Sequence, residues 1–119
     1  MEALAGLFKA LSDETRVQIL ASLQMRGELC VCDVEGALGI SQSKSSRHLR
    51  YLLNAGLVLN RRAGAWVYYR LPEAPGQRQQ QLLAGLSRLI GPEALDGLRR
   101  RLDDWFVRKT EALSTCCDR

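Results

Sequence analysis

Apolar residues recur every three or four positions through most of this chain, and one short region alternates instead. Leu4, Leu7, Phe8 and Leu11 predict a first helix with little of its own domain to pack on, which makes it a candidate dimer surface. Ser12 is expected to cap a second helix, with Asp13 and Glu14 in its first turn and Val17, Ile19, Leu20 and Leu23 on its buried side. Glu28 to Gly39 reads as a third helix, with Val34, Ala37 and Leu38 apolar and Gly39 as its stop. After the tight Gly39-Ile40-Ser41 turn, Ser41 caps a fourth helix that runs to Gly56. That helix has two unlike faces. Leu49, Leu52 and Leu53 form a narrow apolar stripe, while Gln42, Ser43, Lys44, Ser46, Arg47 and Arg50 crowd the N-terminal half and the opposite side.

The alternating region follows. Leu57 to Arg62 and Ala65 to Leu71 are rich in β-branched and aromatic residues and flank Ala63-Gly64, which predicts a β-hairpin. Leu82, Leu83, Leu86, Leu89 and Ile90 then mark a fifth helix closed by Gly91-Pro92. Pro92 opens a sixth, striped with Leu95, Leu98, Leu102, Trp105, Phe106 and Leu113. The expected fold is mainly α with a small β-hairpin: a winged helix-turn-helix, dimeric, in one domain spanning residues 1–119. Its DNA-binding core covers about 12–71, flanked by dimerisation helices at about 2–11 and 77–113.

Charge adds a partner to this picture. A net charge of +4 suits a polyanion, and its placement matters more than its size. In helix-turn-helix docking the N-terminal residues of the second helix enter the major groove. Gln42, Ser43, Lys44, Ser46, Arg47, His48 and Arg50 are therefore the candidate contacts to bases and phosphates, with Arg61 and Arg62 beside the hairpin tip as wing cations. For His48 a packing role competes with a DNA contact. Two copies reading two half-sites imply an imperfectly palindromic operator. No apolar run approaches the roughly 20 residues that cross a bilayer, and the N-terminus lacks a signal-peptide layout. No membrane association and a cytoplasmic location are expected.

The four cysteines fall in two pairs, Cys30/Cys32 and Cys116/Cys117. In a reducing compartment such pairs point to metal binding or redox chemistry rather than to a disulfide framework. Thiolates select soft ions. Residues i and i+2 of a regular helix do not face one another, so chelation by Cys30 and Cys32 is expected to unwind the start of the third helix. A helix N-terminus is also expected to lower the thiol pKa.

Leu11-Ser-Asp-Glu-Thr-Arg16, Glu28-Leu-Cys-Val-Cys-Asp33, Ser46-Arg-His-Leu49 and Gly64-Ala-Trp-Val-Tyr-Tyr-Arg-Leu71 together resemble the ArsR/SmtB family of metal-responsive winged-helix repressors. The Glu-Leu-Cys-Val-Cys-Asp stretch is similar to that of the arsenite-sensing branch. The resemblance implies a homodimeric repressor of an arsenic-resistance operon that leaves its operator when As(III) or Sb(III) binds. Sensors of that branch commonly carry a third cysteine three residues after the second, where this chain has Glu35. A carboxylate is too hard to replace sulfur well, so the third ligand is expected from Cys116 or Cys117. The single histidine makes a zinc site within Gln77 to Ile90 impossible to assemble from imidazoles.

Two rival readings use the same residues. A repressor of this fold could sense oxidation or persulfidation of Cys30 and Cys32 instead of a metalloid. A thiol-dependent detoxification enzyme would need features this chain lacks: a Gly-rich phosphate cradle, a dinucleotide fingerprint or a Cys-X-X-Cys motif. No enzymatic cofactor is expected.

Overall fold

The computed structural model describes residues 1–74 and 76–111. Six helices and three short strands follow in the order α1 (Glu2–Ala10), α2 (Glu14–Arg26), β1 (Glu28–Cys30), α3 (Val31–Leu38), α4 (Gln42–Asn54), β2 (Leu59–Ala63), β3 (Trp66–Arg70), α5 (Gln77–Ile90) and α6 (Pro92–Glu111). Around one core, Ile19, Leu20 and Leu23 of α2 meet Val34 and Leu38 of α3, Leu49 and Leu52 of α4, and Leu102 of α6. Each of these side chains is buried, so the apolar stripes of four helices converge where their spacing directs them.

Local chemistry sets the element ends. Ser12 does not cap α2; its hydroxyl donates back to the Lys9 carbonyl, and Asp13 is the cap, accepting from Thr15 N at 2.8 Å and Arg16 N at 3.4 Å. A carboxylate is the stronger acceptor beside the positive helix end. Between α3 and α4, Gly39 adopts φ 68°, a left-handed conformation that costs a side-chain-bearing residue more, and Ser41 caps α4 by accepting from Lys44 N. The two helices thus meet in the short turn that a helix-turn-helix requires.

The third segment differs from its expected form. Glu28, Leu29 and Cys30 are not helical: they pair antiparallel with Arg70, Tyr69 and Tyr68 of the hairpin, giving a three-stranded sheet of order β1-β3-β2. The helical pattern began only at Val31, and Leu29 is buried from a strand instead of from a helix face. This strand ties the wing to the start of α3. Among the described residues, no helix is long and apolar enough to cross a membrane.

Candidate inducer and DNA-binding sites

Cys30 is the N-cap of α3, with extended backbone at φ −87° and ψ 170°, and Cys32 lies in the first helical turn. That change of backbone between neighbours corrects the expected unwinding. An extended residue followed by a helical one brings side chains i and i+2 together, so the two sulfurs and a carboxylate oxygen of Asp33 all lie within 4.8 Å of one another. Two sulfurs bonded to one soft centre at about 2.3 Å each stand no more than about 4.6 Å apart, a span comparable to that of this cluster. Among the described residues, this is the cluster that assembles three potential ligand atoms.

Asp33 is no simple third ligand, because its oxygens are already engaged. Oδ2 accepts from Cys30 N at 2.9 Å, and Oδ1 accepts from Trp105 Nε1 and from Lys109 Nζ, both at 2.8 Å. Trp105 and Lys109 are one turn apart on α6, so a single buried carboxylate fastens α6 to the start of α3. Gly36 makes the contact possible from the other side: a Cβ there would run into the Trp105 ring. The Cys30 and Cys32 sulfurs lie in an apolar setting with Tyr68 packed against them, and sulfur is the donor that soft, thiophilic centres select.

The thiol chemistry also departs from expectation. Burial, and after it the negative charge of Asp33, pushes the Cys30 thiol up to about 11, whereas a helix N-terminus alone would lower it. Cys30 is 2 % exposed, and desolvation of a thiolate there outweighs the dipole. Glu35, at the position of the missing third cysteine, is half-buried on α3. Cys116 and Cys117 lie outside the described residues.

On α4, Gln42, Ser43, Lys44, Arg47 and Arg50 are exposed and Ser46 is half-buried, while Leu49 and Leu52 anchor the opposite face. His48 is turned inward. Its Nδ1 stands 3.3 Å from Arg16 Nη1 and its Nε2 4.0 Å from Asp13, and burial holds its pKa below the usual imidazole value. The same Arg16 donates to the Ala10 carbonyl at 2.6 Å and lies over the Tyr51 ring at 4.1 Å, so it links the end of α1 to α4. At the wing, Arg62 is exposed, but Arg61 forms a two-pronged ion pair with Glu28 at 2.7 Å for both Nε and Nη2. Sequence reasoning missed Arg16, Asp33, Tyr68, Trp105 and Lys109. Only the i,i+4 spacing of Trp105 and Lys109 was a usable sign that they share a helix face.

Residues 13–59 match the model of the bacterial regulatory protein arsR family. The chain is 51% identical over 113 residues to the arsenic resistance transcriptional regulator ArsR2 of Pseudomonas putida, covering 93% of this chain and 95% of that protein. Among solved structures, it is similar to the homodimeric winged helix-turn-helix DNA-binding domain Mb0332 of Mycobacterium bovis, a possible ArsR-family regulator, with a TM-score of 0.63 and 33% identity. That match covers 74% of this chain and 78% of the other. The AntR antimony-specific transcriptional repressor superposes with a TM-score of 0.59 and 30% identity, over 71% of this chain and 73% of the other. With α3 and α4 forming the helix-turn-helix, β2 and β3 the wing, and a 51% identical match that spans nearly all of both this chain and ArsR2, the chain belongs to the ArsR family of winged helix-turn-helix, DNA-binding transcription regulators.

Proposed function

We propose that this protein is a homodimeric repressor of an arsenic-resistance operon, released from its operator when As(III) or Sb(III) binds Cys30, Cys32 and one thiol of the Cys116/Cys117 pair. The convergence of the Cys30 and Cys32 sulfurs within 4.8 Å, on the helix that immediately precedes α4, carries this reading. The ArsR2 and AntR likenesses support the choice of a metalloid.

Chain reach supports the tail thiols. Lys109 Nζ stands 2.8 Å from Asp33, which itself neighbours both sulfurs, so α6 ends close to the pair. The five residues after Glu111, up to Cys116, can span at most about 18 Å, a reach compatible with closing the site within one subunit. One of the two neighbouring thiols suffices, since adjacent side chains of an extended segment point apart. Exposed apolar residues on α1 and α5, Phe8 at 57% and Leu89 at 87%, support a dimer built from those helices.

The test is a gel shift on the DNA upstream of the gene with and without arsenite. A retarded band that disappears with arsenite is expected; no retarded band, or one indifferent to arsenite, rejects the proposal. On the DNA side, Arg47→Ala is expected to cost about 1–3 kcal/mol of operator binding, the scale of a base-edge contact. Anisotropy titration against operator and scrambled duplexes checks this, and an unchanged operator affinity removes Arg47 from the interface.

A further inference from the structure

Cys30, Tyr68 and Arg61 form one rung across the sheet: Tyr68 of β3 is the register partner of Cys30 on β1 and of Arg61 on β2. Directly opposed residues share a face of a sheet, and Glu28, two residues before Cys30 on β1, falls on that same face. The side chains close a connected path. Tyr68 packs against Cys30 and Cys32, the Arg61 guanidinium lies 4.7 Å from the Tyr68 ring centroid, and the Glu28 carboxylate holds Arg61 Nε and Nη2. The Arg61 hydrogen bond holds the Glu28 carboxyl below its usual range.

We propose that Glu28 competes with operator phosphate for Arg61, and that Tyr68 couples this competition to ligand at Cys30 and Cys32. The coupling half rests on the function proposed above. Nε and Nη2 form the side-on edge with which an arginine grips a phosphate, so the Glu28 clamp takes that edge, leaves a phosphate only the outer Nη1 and Nη2 N–H groups, and neutralises the charge the DNA would use. Arg61 and Glu28 are both substantially solvent-accessible, at 51% and 30%, so the clamp is weak enough to be exchanged for DNA. A ligand on the two sulfurs takes up space beside Tyr68 and biases the rung toward the clamped state. Arg61 is thus a two-state element that both the thiol site and the DNA address. Arg62, its neighbour, points to the other face and keeps its charge for DNA in either state.

The experiment measures operator affinity by anisotropy for wild type, Glu28→Gln, Arg61→Ala, the double variant, Tyr68→Phe and Tyr68→Leu, with and without arsenite. Arsenite capture is followed separately by loss of reagent-accessible thiols after unfolding. Without arsenite, Glu28→Gln is expected to bind operator about two- to fivefold more tightly, with a salt slope steeper by about one phosphate contact. The gain should vanish in the Arg61→Ala background, which separates competition for Arg61 from the mere loss of a negative charge. With arsenite, Tyr68→Phe should be released like wild type, and Tyr68→Leu should capture arsenite yet be released less. Glu28→Gln binding no more tightly than wild type, or gaining equally without Arg61, overturns the competition. Release of Tyr68→Leu equal to wild type overturns the coupling. A wild type that holds its operator under saturating arsenite instead rejects the proposed function and the coupling with it, and the arsenite-free comparison still decides the competition.

Discussion

Replacing Asp33 with alanine is expected to cost about 3–5 kcal/mol of folding stability, a large share of what a domain of this size possesses. The carboxylate is 2 % exposed and is the acceptor for three donors, Cys30 N, Trp105 Nε1 and Lys109 Nζ. Its removal leaves a buried N–H at the start of α3, and it breaks the 2.8 Å ion pair with Lys109 Nζ, whose side chain is only 20% exposed. An unpartnered buried polar group costs about 1–3 kcal/mol and a half-broken buried ion pair more, so the losses accumulate at one point. Because Trp105 and Lys109 are the donors on α6, the lesion should loosen that helix from α3 before the rest of the core fails. Urea unfolding checks the magnitude, and hydrogen exchange checks that amides of α6 lose protection first. A loss below about 1 kcal/mol would show that Asp33 does not fasten the helices.

Inducer binding is expected to depend on pH differently for a metalloid and for a divalent cation. The Cys30 thiol, pushed up to about 11, stays protonated throughout pH 6–8. Arsenous acid, As(OH)3, is neutral in that range, and each As–S bond forms as the thiol proton leaves with a hydroxide as water. No net proton is exchanged, so arsenite affinity should be flat. A cation such as Cd(II) brings no hydroxide to accept the proton, so Cys30 alone should make its affinity rise about tenfold per pH unit, or about a hundredfold from pH 6 to pH 8. Competition against a chromophoric chelator measures the cation, and direct thiol titration the metalloid. An arsenite affinity that falls as pH rises, or a Cd(II) affinity that stays flat, would contradict a protonated Cys30.

Much of this architecture could be read from periodicity, because amphipathic helices declare their buried faces locally. Leu49 and Leu52 are buried as the stripe on α4 requires, Gly39 turns the chain between α3 and α4, and Pro92 opens α6. What escaped were long-range contacts. Glu28 to Cys30 resembles the helix that follows it, and only pairing with Tyr68 to Arg70, about forty residues on, makes it a strand. The same pairing sets Cys30 in extended backbone, so the geometry of the thiol pair was hidden for the same reason. The Asp33 contacts span more than seventy residues, and His48 faces Asp13 and Arg16 on a different helix. Arg61 shows the limit of reading charge from composition: next to a hairpin tip it suggests a phosphate contact, yet it is held by a carboxylate on another strand.

The central claim is that the Cys30/Cys32 pair, closed by a tail thiol, is what arsenite acts on. An arsenite titration of preformed operator complexes, comparing wild type with Cys30→Ser, Cys32→Ser and the Cys116→Ser/Cys117→Ser double variant, tests it most directly. All four proteins should bind operator. The wild type should be released, the two single variants should remain bound at every arsenite concentration tried, and the tail variant should require at least about tenfold more arsenite, as expected for the loss of one of three soft ligands. Release of Cys30→Ser or Cys32→Ser at the wild-type concentration would contradict the claim, and a tail variant indistinguishable from wild type would reduce the site to two sulfurs.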